Sequence, residues 1–384
     1  MLRLEGGRPT GELGFEHVRG KTVATSTYAR YPLKFVSATR ASDDRCAWVY
    51  ALGYGGGAVC GDQVTVRCSV GDQCTAALTT QGSTKVYKRG AKSREPHALE
   101  SEDAQRASHS LLSQVASGGL LAIIPDPVTC FENSSFRQHQ RFMLERGASL
   151  VLVDWLTSGR MSRGEGWAFL RMESRNEVMV QTGESASPSL DQDHEWEPLV
   201  LDSLVLEELP GLSIRERMLG MNVVGMVILV GPRVEHTVSA ILEQESTKRA
   251  RFPPGLEPTG CSRPQQANGG GGKAPLGRGS GGVGEGRKPI QEHPDLDRII
   301  LSGKQGHEQT RVDLEALGVK SEAGRTLCSV SSLEGGCGNW CRGLVYRFAA
   351  ERTQDARVML HDLLFSLKGD LGGRAPYCRE GGNP

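Results

Sequence analysis

Aromatic side chains are scarce in this sequence: 9 Phe, 7 Tyr and 5 Trp make up 5% of its 384 residues. A pocket walled by clustered rings, suited to a sugar or an apolar metabolite, therefore has little to be built from. Net charge is missing too. Lysine plus arginine and aspartate plus glutamate number 45 each, so no bulk field draws the chain to nucleic acid or to an anionic membrane. No apolar run approaches the length of a spanning helix, and the first twenty residues mix Arg3, Glu5, Arg8, Glu12 and Glu16 with glycine where a secretory signal would be apolar. A soluble cytoplasmic protein is expected, binding neither nucleic acid nor membrane. The ten cysteines stand singly apart from Cys68 with Cys74 and Cys337 with Cys341, which is not the spacing of a secreted disulfide framework, and they read as reduced and mostly buried. Catalytic signatures are absent as well. There is no G-x-S-x-G elbow, H-E-x-x-H helix or dinucleotide fingerprint, and no two of the nine histidines stand four apart.

What the sequence does carry is alternation with a period of two. Val64, Val66, Cys68 and Val70 alternate with Thr65, Arg67 and Ser69 before the Gly71-Asp72 turn, the pattern of a half-buried strand. Similar runs cover Cys46–Leu52, Leu120–Ile124, Phe136–Met143, Ser149–Trp155, Trp167–Met172, Glu177–Gln181, Leu199–Leu206, Asn222–Val230 and Leu344–Phe348. Tyr31-Pro32-Leu33 reads as an edge element, since proline brings no amide donor to a ladder. Helical periods do not alternate with these strands over the first two hundred residues, which argues against a doubly wound parallel sheet. The expected fold is mainly β, a large antiparallel or stacked sheet body with a few helices toward the C-terminal part. Those helices are expected at His236–Lys248 and at 353–367, where Ala356, Met359, Leu360, Leu363, Leu364 and Leu367 keep helical spacing and Thr353 can cap. Residues 1–252 read as the β body. Residues 253–295, rich in glycine, proline and arginine, read as a flexible insert, and 296–384 as the completion of the same domain. The segment 89–105 is charged, aperiodic and reads as a loop. Within the insert Gly269–Ala274 evokes a phosphate loop, but Ala267 stands where its first glycine belongs and Ala274 replaces the magnesium-binding hydroxyl.

The densest motifs lie between Gly55 and Lys88. Gly55-Gly56-Gly57 is followed by Gly61-Asp62, and a second strand runs into Leu78-Thr79-Thr80-Gln81-Gly82-Ser83-Thr84-Lys85-Val86-Tyr87. Asp62 can cap the amides of its own turn, or present a carboxylate to a cation. The hydroxyls and Lys85 sit on strands, not at a helix N-terminus, so a phosphate site is disfavoured against cross-strand bonding or partner contact. Cys337 and Cys341 are at most a weak metal candidate, because two further ligands at a suitable spacing are lacking.

The wording GGG-x-x-x-GD followed by LTTQGSTKVYK resembles the urease accessory protein D family, also called UreD or UreH. Gly159-Arg160 with Gly164-Glu165 is similar to the family's GR-x-x-x-GE motif, and the resemblance extends to the C-terminal strand and helix, leaving out only the insert. It implies a non-enzymatic scaffold that binds the urease apoprotein, recruits a helical UreF-like accessory protein and through it a UreG-like GTPase, and helps pass nickel to the active site. Asp62 and Glu165 are then candidate lining acids for the nickel path, with nickel in transit and no cofactor tightly bound. Gly56, Gly57, Gly61, Thr79, Thr80, Gly82, Thr84, Lys85, Tyr87, Gly159 and Arg160 would be structural or partner-contact positions of the motif. A β-rich module binding a small ligand without urease partners is the alternative, and a cysteine-dependent enzyme is disfavoured by the lack of a histidine beside any thiol.

Overall fold

Alternating strands need a second surface to bury their apolar side, and here successive strands supply it to one another by crossing between two facing sheets. A computed structural model of the protein describes residues 8–38, 45–88, 106–182, 195–251, 324–334 and 339–377. β1 (Gly11–Val18) and β2 (Lys21–Ala29) form an antiparallel pair in the first sheet, and β3 (Leu33–Ser37) and β4 (Ala47–Gly53) do so in the second. Three coils follow, each made of a very short strand, a strand in the first sheet and a strand in the second. They are β5 (Gly57–Ala58), β6 (Gln63–Val70) and β7 (Thr75–Thr79); β8 (Thr84–Val86), β9 (Ala107–Val115) and β10 (Leu120–Ile123); and β11 (Val128–Cys130), β12 (Ser135–Leu144) and β13 (Ser149–Thr157). Each strand pairs in parallel with its counterpart in the next coil, the arrangement of a β solenoid.

The far end closes differently. β14 (Arg171–Thr182) continues the first sheet in parallel, and β15 (Glu195–Glu207) turns back antiparallel along its edge. In the second sheet β16 (Val223–Val230), β18 (Gly343–Ala350) and β17 (Thr326–Leu333) add antiparallel strands in that spatial order. The body is thus mainly β with stacked sheets, but the middle of each sheet is parallel where antiparallel pairing is expected from the sequence. Parallel neighbours require a long crossover, for which a helix is the usual choice. Here the crossover is made of the other strands of the same coil, so a helix-poor sequence still builds parallel sheets.

Packing explains the two kinds of strand pattern. Between the sheets, Leu13, Phe15, Val70, Phe142 and Val178 of the first meet Val49, Ala76, Leu121, Leu152 and Ile228 of the second. The outer side of the second sheet, including Ala122, Val153, Trp155 and Val227, is covered by α2 (Glu235–Arg251) and α3 (Thr353–Leu364) through Val238, Ile241, Ala356, Leu360 and Leu364. Strands buried on both faces become continuous apolar runs, as at Val223–Val230. The first sheet turns a charged face outward instead, where Arg137, His139 and Arg141 alternate along β12 and Glu173, Arg175 and Glu177 along β14. The cap of α3 is Arg352 and not Thr353. α1 (Ile214–Arg217) is absent from the sequence-based expectation although Ser213 and Glu216 form a capping box around it.

All the described strands belong to one compact unit, and a second unit, Ser246–Ile300, contributes only the end of α2 to the described residues. The insert expected at 253–295, the loop expected at 89–105 and Cys337 lie outside the described residues. Among the described residues no helix is long and apolar enough to cross a membrane.

Candidate functional site

Near the start of the coils the filling between the sheets is incomplete, and a cavity of about 380 Å³ remains, walled by apolar side chains with polar ones among them. Its wall includes Asp62, Thr79, Thr80, Gly82 and Thr84 from the two densest motifs, with His109, Gln138 and Gln140 from the first sheet. Gly57 is a steric requirement here: a Cβ at this position would lie 2.0 Å from the Lys85 carbonyl oxygen, so β5 could not pair with β8. Gly61 has φ +88 and turns the chain, and Asp62 closes that turn by accepting the Val59 amide on Oδ2 at 2.9 Å. The capping role and the place in the cavity wall therefore belong to the same residue.

The hydroxyl-rich loop is held by specific bonds. Thr79 donates to the Ile124 carbonyl at 2.7 Å, Thr80 accepts the Asp126 amide at 2.8 Å, and the Gly82 amide donates to Asp126 Oδ2 at 2.8 Å. Asp126 in turn is ion-paired with Arg357 of α3. Trp155 Nε1 and the Tyr377 hydroxyl both donate to the Pro125 carbonyl, at 2.9 and 2.8 Å. These hydroxyls thus fix the cavity rim to the Pro125–Pro127 turn. Tyr87 donates to the Gly55 carbonyl at 2.9 Å and sets its ring edge-on to Phe131. The Lys85 side chain is exposed, while its backbone pairs with Gly57 and Thr129.

Glu165 is elsewhere. Arg160 engages both of its carboxylate oxygens, at 2.8 and 2.5 Å, and the guanidinium lies 4.0 Å over the Phe131 ring. The Arg160 hydrogen bond holds the Glu165 carboxyl below its ordinary value. Gly159, at φ +127, lets the chain fold back so tightly that a Cβ would sit 2.2 Å from the Glu165 carbonyl oxygen. Asp62 lines the cavity and Glu165 does not. The stack Tyr87–Phe131–Arg160 joins the two motifs, a relation that their separation in sequence hides.

Beyond the cavity the inward positions of the first sheet continue as two polar rows. Strand register aligns His109, Gln138 and Ser174 in one, and Gln140, Asn176 and Asp202 in the other. Both converge on Asp154 of the second sheet, which accepts Gln138 Nε2 at 3.0 Å, the Ser174 hydroxyl at 2.6 Å and Asn176 Nδ2 at 2.8 Å. Burial pushes the Asp154 carboxyl up, and these three bonds draw it part of the way back. Asp202 is paired with Arg347 of the second sheet at 3.0 Å. Burial lowers the His109 imidazole to about 4, so it is neutral at physiological pH. Sequence reasoning passed over Asp154, Asp202 and His109. The available signal was an acid inside the apolar run Ser149–Trp155, a strand buried on both faces.

Among the described residues no three His, Cys, Asp or Glu side chains converge on a point that could hold a metal ion. Cys341 is buried. The fold defines a capped β solenoid with a small cavity between its sheets and a buried polar cluster around Asp154, and comparison with known proteins gives the family. The chain belongs to the UreD urease accessory proteins, whose family model matches residues 8–270. It is 40% identical over 229 residues to urease accessory protein D of Oryza sativa subsp. japonica, covering 59% of this chain and 66% of that protein. The matched region thus spans just under two thirds of the rice protein's length. Urease accessory protein D of Arabidopsis thaliana is 39% identical over 236 residues, covering 61% of this chain and 72% of that protein. Urease accessory protein UreD of Anaeromyxobacter sp. is 33% identical over 247 residues, covering 64% and 73%.

Proposed function

We propose that this protein is a non-enzymatic cytoplasmic scaffold for building the urease nickel centre. It binds the urease apoprotein and a helical UreF-like accessory protein, which brings a UreG-like GTPase, and it passes nickel onward through its interior. The observation that carries this reading is the continuity between the cavity and the buried carboxylate: Gln138 both lines the cavity and donates to Asp154. Asp62 stands at the outer end of that polar track and Asp154 at the inner end. Oxygen donors spaced singly hold a borderline divalent cation weakly, which suits release more than storage. Glu165, spent on Arg160, braces the wall instead of lining the passage.

Co-purification with urease apoprotein and the helical partner tests the scaffold role, and in vitro activation with nickel tests the passage. Asp62→Ala and Asp154→Ala should lower activation while the complex still forms. Full activation by both variants would sink the passage, and failure of the wild-type chain to co-purify with either protein would sink the scaffold. One observation favours a second reading: the cavity volume, about 380 Å³, also suits a small polar ligand without urease partners. A metabolite that raises the melting temperature and is displaced by filling the cavity with Thr79→Trp would favour that module.

A further inference from the structure

The wall of the cavity is divided into an apolar part and a part rich in hydrogen-bond acceptors. Leu33, Phe35, Leu78 and Ile123 of the second sheet face Val66 and Leu111 of the first across it. Phe35, Val66 and Leu111 stay half-buried although they point between the sheets, so apolar surface is turned to unfilled space and forgoes packing contacts. Two ladder rows cross the first-sheet wall, Val64–His109–Gln138 and Val66–Leu111–Gln140, and each passes from apolar on β6 to polar on β12. The glutamines commit their donors elsewhere: Gln138 Nε2 donates to Asp154 and Ser174, and Gln140 Nε2 donates to Asn176 Oδ1 at 2.9 Å. Neither amide oxygen has a hydrogen-bond partner among the described residues. Nor has the neutral His109 imidazole, which keeps one acceptor nitrogen. No lysine or arginine stands in the wall, and Asp62 is its one acid.

We infer that this cavity binds a compact uncharged molecule with an apolar body and an N–H or O–H head, the body against Leu33, Leu78 and Ile123 and the head toward Gln138, Gln140 and His109. The inference deepens the small-ligand reading above, which rests on volume alone, and holds whether or not urease partners bind. About 380 Å³ is at the small end of ligand pockets, roughly 300–1,000 Å³, which limits the ligand's size. An anionic head would meet a carboxylate and amide oxygens with no cation to pair it, and a cationic head would give up its hydration for a chamber with a single acid. Covering the half-buried apolar side chains supplies the affinity, and the acceptors fix the orientation.

The test uses the full chain with indole as the probe and with benzofuran, which has the same shape but an oxygen in place of the N–H. Titration calorimetry should show indole binding, and the melting temperature should rise with indole concentration. Benzofuran should bind about three- to tenfold more weakly, the loss of one net hydrogen bond. Val66→Phe puts a ring into the cavity and should abolish binding of both probes. Gln138→Met and Gln140→Met keep side-chain length and remove an acceptor, and in at least one of them the preference for indole should disappear while both probes still bind. Thermal melting without probe confirms that each variant is folded, and the benzofuran comparison needs no variant. No binding of indole to the wild type, equal binding of benzofuran, undiminished binding to folded Val66→Phe, or an intact preference in both folded glutamine variants overturns the inference. The small-ligand reading stands or falls separately, because a polar metabolite displaced by Thr79→Trp would keep it even where indole does not bind.

Discussion

Glu177 is a buried carboxylate on the outward face of the first sheet, its side chain 3% exposed, and Arg141, Arg175 and His139 surround it. Arg141 donates to Oε2, while Arg175 Nε and His139 Nε2 approach Oε1 at 2.6 and 3.3 Å, outside hydrogen-bond alignment. Glu177→Gln keeps the shape and removes the charge. The loss comprises one charge-assisted hydrogen bond, worth about 1.5–3 kcal/mol, and two looser attractions. Arg141, Arg175 and His139 are 40%, 58% and 38% exposed, so water takes up much of what they lose, and the full cost of breaking a buried pair does not apply. We expect a destabilisation of about 2 kcal/mol at neutral pH, roughly 3–4 °C in melting temperature for a fold of this size. The pH dependence has a definite sign. Burial raises the Glu177 carboxyl, but the Arg141 bond and the charges of Arg141, His139 and Arg175 outweigh it and leave the folded value low. As pH falls, the unfolded chain takes up this proton first, so the stabilisation is complete above the ordinary glutamate value and is lost through the lower folded one. Urea unfolding of both proteins at about pH 7 and through the acid range measures the gap. It should close toward acid. A gap that is absent at neutral pH, or that persists unchanged below the glutamate range, would refute the reasoning.

Other residues give sharper readouts. Gly159→Ala forces a side chain into positive φ and against the Glu165 carbonyl, and should cost at least about 2 kcal/mol and free Arg160 from Phe131; a melting temperature equal to wild type would contradict that steric account. Arg357→Ala removes the partner of Asp126, so amide exchange at Gly82, whose hydrogen bond Asp126 accepts, should speed up while the central strands stay protected; equal exchange would mean that α3 does not brace the cavity rim. Burial pushes the Cys68 and Cys130 thiols up to about 12, so iodoacetamide at about pH 8 should leave both unmodified in the folded protein and label them in urea; labelling before unfolding would show that the coils open.

The strands were legible because alternation is a local signal, and the runs at Cys46–Leu52, Phe136–Met143 and Asn222–Val230 coincide closely with β4, β12 and β16. Their direction was not. Whether β6 pairs with an antiparallel neighbour or with a parallel one a coil away depends on the path of the chain, which no strand's own residues encode. Trp167–Met172 and Glu177–Gln181 read as separate strands because Glu173 and Arg175 interrupt the apolar pattern. They belong to the outward face, and a single β14 runs from Arg171 to Thr182. For the candidate site, the motif positions around Asp62 and Thr79 carried turn and hydroxyl signals that could be read directly. His109, Asp154 and Asp202 could not be grouped, because a ladder of single residues from successive coils leaves no mark at any fixed spacing.

The parallel coils have an end at either side. β1 with β2 and β3 with β4 reverse direction at one end, and β15 with β16, β18 and β17 reverse it at the other. An uncapped solenoid can gain or lose rungs, since every rung presents the same edge to the next. This one ends in antiparallel strands on both sides, which break the repeat that a further coil would continue. The seven strands of the first sheet are six spacings of roughly 4.8 Å, so the molecule holds its two edges about 29 Å apart. A coil deleted from the middle would shorten that distance by about 5 Å and leave both antiparallel ends in place.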